Sequence, residues 1–138
     1  MWISWIQEIR NMGYFEKSWI AIERISFIIM GERLMTRSEA NIQNDILIAL
    51  SKAGATVWRN NTGALQDKTG RLVRYGLCKG SSDIIGICPD GRFLAVEVKK
   101  NTGRATEDQL RFIEAVRAKG GRSGVARSVE DALRILEG

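Results

Sequence analysis

The middle of the chain carries an apolar run interrupted by charge: DIIGICPDGRFLAVEVKK, residues 83–100. Two strand-like halves rich in Ile, Val and Leu flank a Pro-Asp-Gly triplet, a pattern that predicts a β-hairpin. Phe93, Leu94, Ala95, Val96 and Val98 read as a buried strand. Glu97 and Lys99, two places apart, point to one face of it. Burying either charge without a partner is costly. Either that face is solvated or the two charges have a function there.

A turn centred on Asp90 sets Asp83 opposite Glu97, on the same face and roughly 5 Å away. This requires an odd-length loop, a bulge, or an Asp83 just outside the strand. A strict two-residue turn at Asp90-Gly91 sends Asp83 to the other face. Two carboxylates with an ammonium beside them suit a hard divalent cation such as Mg²⁺, which takes oxygen ligands and keeps some of its waters. Such an ion lowers the pKa of a bound water and screens phosphate charge. Lys99 would orient that water or stabilise the transition state, and the Val98 carbonyl is a further candidate ligand. The plainer alternative is an exposed cross-strand salt bridge.

Composition narrows the chemistry. The chain of 138 residues has no histidine, which excludes histidine bases, nucleophiles and metal ligands. Cys78 and Cys88 form neither a zinc motif nor a disulfide framework, so a reduced, cytoplasmic protein is expected. No apolar run is long enough to cross a membrane, and no signal peptide is recognisable. The net charge is +5. The excess lies beyond residue 34, because the first 34 residues hold four basic and four acidic side chains. A basic surplus is compatible with a polyanionic partner without requiring one.

Residues 1–34 form a separate segment carrying Trp2, Trp5, Trp19, Phe15 and Phe27. They read either as a helical N-terminal extension or as non-native sequence. In the second case GERLM would be encoded by a ribosome-binding stretch and Met35 would be the start. Residues 35–138 form the main domain. SEANIQNDILIALSKAG predicts a helix, with Thr36-x-x-Glu39 fitting a capping box. ATVWRNN reads as a short strand, and TGALQDKTGRLVRYGLCKGSS as loop with a strand at RLVRYG. After the hairpin come a helix at ATEDQLRFIEAVRAKGG, a strand at SGVARS and a helix at VEDALRILEG. This order predicts an α/β fold, a mixed central β-sheet flanked by helices.

The surroundings of the hairpin strengthen a metal-site reading. GLCKGSSD sets glycines before Asp83, where a backbone can approach a metal or phosphate. Gln109 is in phase with Phe112, Ile113 and Val116, on the sheet-facing side of its helix, and Thr106-x-x-Gln109 also fits a capping box. Glu39 is in phase with Ile42, Ile46 and Leu50 and is a candidate third carboxylate. Gln43, one turn on, is a weaker candidate.

The segments SEANIQ, RNNTG, GSSD, VEVKKNTGRATEDQ and GVARSVED resemble the VRR-NUC family of the PD-(D/E)XK nuclease superfamily, over about Ser38 to Asp131. The resemblance implies a restriction-endonuclease-like core and a DNA nuclease that depends on Mg²⁺ or Mn²⁺ and leaves 5′-phosphate ends. It implies catalytic roles for Asp83, Glu97 and Lys99, with Glu39 and Gln109 as outer motifs. Ser82 stands where the superfamily name has Pro. Small stand-alone members of phage or prophage type further suggest a homodimer, a branched or flap-like DNA substrate and a host cytoplasmic location.

Arg59, Asn60, Asn61, Lys68, Arg71, Arg74, Lys79, Lys100 and Arg104 fall in loops around this candidate site. Lys79, Gly80, Ser81, Asn61, Arg104 and Lys100 are the expected phosphate contacts. Each is equally readable as a solvated surface position. Two other functions stay open: a non-catalytic module that binds DNA structures on the same fold, and a basic structural protein.

Overall fold

The computed structural model describes residues 37–138; the expectations for residues 1–34 and Thr36 lie outside the described residues. Ser38 to Gly138 form one compact unit. Its elements are α1 (Glu39–Lys52), β1 (Thr56–Arg59), β2 (Gly63–Gln66), β3 (Leu72–Tyr75), β4 (Ile84–Ile87), β5 (Phe93–Val98), α2 (Glu107–Ala118), β6 (Arg122–Ala126) and α3 (Val129–Glu137). The main sheet has the order β1-β4-β5-β6. It is antiparallel except between β5 and β6, which run parallel. This is the expected mixed α/β sheet flanked by helices.

The hairpin is built as its turn chemistry requires. Ile84 pairs with Val96 and Ile87 with Phe93, so the register is centred on residue 90. The Cys88 N–H donates to the Arg92 carbonyl at 2.8 Å, and the Gly91 N–H to the Cys88 carbonyl at 2.9 Å. Pro89-Asp90-Gly91 is therefore a three-residue loop, closed by Gly91 at φ +86°. A left-handed residue at the third loop position is what such hairpins use, and glycine takes it without a Cβ penalty. The odd loop length keeps Asp83 on the Glu97 face.

One face of β5 makes the core. Leu94, Val96 and Val98 pack with Ile84 of β4, Ile46 and Leu50 of α1, Ala126 of β6, and Ala132 and Leu136 of α3. Burial of each large aliphatic side chain contributes about 1.5–3 kcal/mol, so Leu94→Ala would cost about 2–5 kcal/mol. Helix α2 lies against β5 and β6, on the opposite face, where Glu97 points. Cys88 is buried as a small core residue and Cys78 is exposed.

Two expectations are corrected. Helix α1 is capped by Ser38, whose hydroxyl accepts the Asn41 N–H. Glu39 is thus the first helical residue after the cap and not the third. The stretch GALQ, read as loop, is strand β2, and it pairs with β3 in a separate two-stranded sheet. Asp67 closes that hairpin, its Oδ1 accepting the Thr69 hydroxyl and the Thr69 and Arg71 N–H groups. Four-residue strands beside an Asp-Lys-Thr-Gly turn carry too little periodicity to stand out.

Candidate active site

At its open end the β4–β5 ladder stops at Ile84 and Val96. One step further along, Asp83 and Glu97 meet. Asp83 Oδ2 accepts the Val98 N–H at 2.9 Å. The Lys99 N–H bonds to Ala126 of β6. Backbone polarity alternates along a strand, so the N–H and C=O of Val98 both point toward Asp83. The expected main-chain candidate ligand therefore belongs to the residue whose N–H the Asp83 carboxylate holds.

Glu97 is almost completely buried, with 1% of its surface exposed. Its Oε1 accepts Gln109 Nε2 at 2.5 Å and lies 2.9 Å from Lys99 Nζ. Its Oε2 makes no hydrogen bond. Burial pushes the Glu97 carboxyl up to about 7; the Lys99 hydrogen bond opposes the rise and the Asp83 charge adds to it. Burial pulls Lys99 the other way, but its hydrogen bond to Glu97 and the charges of Glu97, Glu39 and Asp83 outweigh that and raise it. Lys99 is therefore an ammonium at neutral pH, a hydrogen-bond donor and not a base.

Gln109 does both things its position suggested. Its side chain accepts the Thr106 N–H at 2.8 Å while its own N–H donates to Thr106 Oγ1, a complete capping box. Its amide nitrogen still reaches Glu97. The oxygen serves the cap and the nitrogen serves the carboxylate.

Glu39 lies apart from this pair. It is exposed, and its Oε1 accepts the Lys100 N–H at 3.3 Å. Among the described residues no three carboxylate or cysteine side chains converge to hold a metal. Two carboxylates and a main-chain carbonyl nevertheless fit Mg²⁺, which commonly binds through one or two carboxylates and completes its shell with water or phosphate. The buried, unpartnered Glu97 Oε2 supports that fit, because an orphaned carboxylate oxygen is costly unless a cation or donor faces it.

The segment before Asp83 is held by residues whose roles the sequence did not announce. The Asn60 N–H donates to the Asp83 carbonyl at 2.8 Å. Its side-chain amide bonds Ser81 Oγ at 2.8 Å and the Ser82 carbonyl at 2.9 Å. Gln43 Nε2 reaches the Asp83 carbonyl at 3.2 Å. Asn60, expected in a loop around the site, is thus a clamp on the segment before Asp83. Ser81, expected at a phosphate, is buried and turned onto that clamp. Gly80, at φ +84°, packs so closely on α2 that a Cβ would meet the Asp108 backbone at 2.5 Å. Lys79 pairs with Asp108 at 2.8 Å while remaining largely exposed. Asn61, Lys100 and Arg104 are exposed near the site, with the Lys100 carbonyl accepting from Arg127.

An α/β sheet with two carboxylates, a lysine and a glutamine gathered at one end defines the class of fold and site. The VRR-NUC domain family matches residues 37–130, and the chain belongs to that family, one of nuclease domains that engage DNA. A solved structure described as a VRR_NUC domain is similar to it, with 25% identity and a TM-score of 0.50, over 72% of this chain and 94% of that one. No curated protein matches the chain.

Proposed function

We propose that this protein is a metal-dependent DNA endonuclease acting on branched or flap-like DNA through Asp83, Glu97, Lys99 and Gln109. The observation that carries it is Glu97, buried, held through Oε1 by Lys99 and Gln109, and left with Oε2 unpartnered. Asp83, Glu97 and the Val98 carbonyl would hold Mg²⁺ or Mn²⁺. When bound, the ion supplies Lewis-acid activation of water and neutralisation of phosphate charge.

The chain's own groups do the rest. Lys99 donates a hydrogen bond to the attacking water or to a phosphate oxygen on which negative charge builds. Gln109 and Lys99 together hold Oε1 of the Glu97 carboxylate, which leaves Oε2 for the metal. Glu39, held against the Lys100 N–H, adds negative potential at Lys99 without being a direct ligand. Lys79, Lys100, Arg104 and Asn61 contact the DNA backbone, which positions the strand without reading sequence.

A homodimer fits the same reading. Trp58, Ile87 and Phe93 are exposed and share one face of the β1-β4-β5 sheet, an apolar strip of the kind a second copy covers. No described helix is long and apolar enough to cross a membrane; a cytoplasmic site of action, in a host cell if the protein is phage-encoded, accords with this and with its free cysteines.

The test is cleavage of labelled duplex, single-stranded, flap and four-way-junction DNA with Mg²⁺, Mn²⁺ or EDTA. Metal-dependent cutting by the natural protein, abolished in Glu97→Ala and Lys99→Ala, is expected. Tight structure-selective binding with no cutting under any condition would instead make it a binding module.

A further inference from the structure

The β2–β3 hairpin stands outside the main sheet. Every residue of β3 is exposed, and in β2 only Gly63 is half-buried. A two-stranded ribbon with both faces in water is marginal by itself. The register sets Leu65 opposite Val73 and Gly63 opposite Tyr75, so these four share a face. Leu65 is 65% exposed and Tyr75 47%. The Tyr75 ring lies over Gly63, where a Cβ would meet its hydroxyl at 2.4 Å. The result is an apolar, aromatic surface that nothing in the described unit covers.

Charge indicates the occupant. Between Arg59 and Lys79 there are five cations and one carboxylate, Asp67. That carboxylate is spent on its own turn, where the Thr69 hydrogen bond holds it below the usual carboxylate range. Lys68 and Arg74 make no ion pair among the described residues. Arg71 is in phase with Val73 and Tyr75 and Lys68 sits at the turn, while Arg74, opposite Ala64, is on the other face. A symmetric contact with a second copy through the apolar face would set Lys68 and Arg71 against their own copies. A polyanion with flat apolar groups matches both the charge and the aromatic surface.

Position indicates the substrate feature. The hairpin begins three residues after Asn60, whose N–H is bonded to the Asp83 carbonyl. Four-residue strands span about 13 Å, the length of about four base steps. We propose that the β2–β3 hairpin is the specificity element of this site: Leu65, Val73 and Tyr75 receive unstacked bases next to the bound phosphodiester, and Lys68 and Arg71 hold the adjoining phosphates. The proposal rests on the nuclease reading for the location of the cut. It names the feature recognised, a junction of paired and unpaired nucleotides.

The experiment measures binding by fluorescence anisotropy, in EDTA, to a fully paired duplex and to a forked duplex of the same sequence. Forked DNA binds more tightly, by about 10-fold for each base stacked. In Leu65→Ser and in Tyr75→Ala the ratio of forked to duplex affinity falls toward 1, with the Tm of the domain unchanged. Lys68→Ala/Arg71→Ala weakens both substrates by a similar factor and lowers the salt dependence, leaving the ratio intact. An unchanged ratio in both apolar variants overturns the proposal. So does their conversion of a dimer to a monomer in sedimentation, which would make the face a self-association surface. Cleavage is scored separately. Loss of the ratio in a protein that cuts no DNA sinks the nuclease reading alone, and cutting with an unaltered ratio sinks the hairpin alone.

Discussion

Asp83 and Val98 close the open end of the β4–β5 ladder: the Asp83 carboxylate takes the Val98 N–H at 2.9 Å, where a further strand residue would otherwise accept it. One side chain thus completes the sheet and stands at the candidate metal site. The two roles separate by substitution. Asp83→Asn keeps an acceptor for Val98 and should stay within about 1 kcal/mol of the parent in urea unfolding. Asp83→Ala leaves that N–H unsatisfied and should cost about 1–3 kcal/mol. Both should lose DNA cleavage. Equal unfolding midpoints for the two variants would show that the Val98 bond contributes nothing.

Glu97 makes stability depend on pH. Its folded pKa is raised to about 7 from an ordinary 4.5, so between these values the folded protein holds a proton that the unfolded chain has lost. Stability without metal should therefore fall as pH rises from about 4.5 to 7 and then level. Glu97→Gln should flatten that slope, as read from Tm across the range.

The same proton competes with a cation. Mg²⁺ needs the carboxylate, so its apparent affinity should rise up to about 10-fold per pH unit below 7 and plateau above it. Calorimetry at pH 6 in two buffers of different ionisation heat should show proton release on binding, absent in Glu97→Gln. Affinity independent of pH would remove Glu97 from the binding group.

Asn60 holds the loop before Asp83 with its side-chain amide. Asn60→Ala should destabilise the domain by about 1–3 kcal/mol. It should also raise the Mg²⁺ concentration needed for half-maximal cleavage, because the Ser81-Ser82 segment that leads into Asp83 loses its brace. Asn60→Asp removes the donors at the same volume and should behave alike. A stability loss with an unchanged Mg²⁺ requirement would make Asn60 a purely structural residue.

Gln109 divides its amide between Thr106 and Glu97. Gln109→Glu keeps an acceptor for the Thr106 N–H but sets a second carboxylate against Glu97. It should preserve α2 in circular dichroism while lowering cleavage at neutral pH by about 10-fold or more, a loss of about 1.4 kcal/mol. Cleavage equal to the parent's would show that the Glu97 contact has no part in the reaction.

The hairpin and the three helices were legible in the sequence because each follows from local periodicity. The register that brings Asp83 to the Glu97 face stayed open between an odd loop and a two-residue Asp90-Gly91 turn. A three-residue Pro-Asp-Gly loop sets which residues face each other, and a Thr-x-x-Gln cap sets the face of α2. Only the tertiary structure decided what surrounds them. The Asn60 and Gln43 donors reach Asp83 from far along the chain, and the Lys79–Asp108 pair joins a loop to a helix start. No spacing rule connects such residues. Burial of Glu97, which raises its pKa, is likewise set by how α2 packs on β5. The place of Ser38 as the cap of α1 and of β2–β3 as a separate ribbon also waited for the fold, since both turn on competing short-range signals that long-range packing resolves.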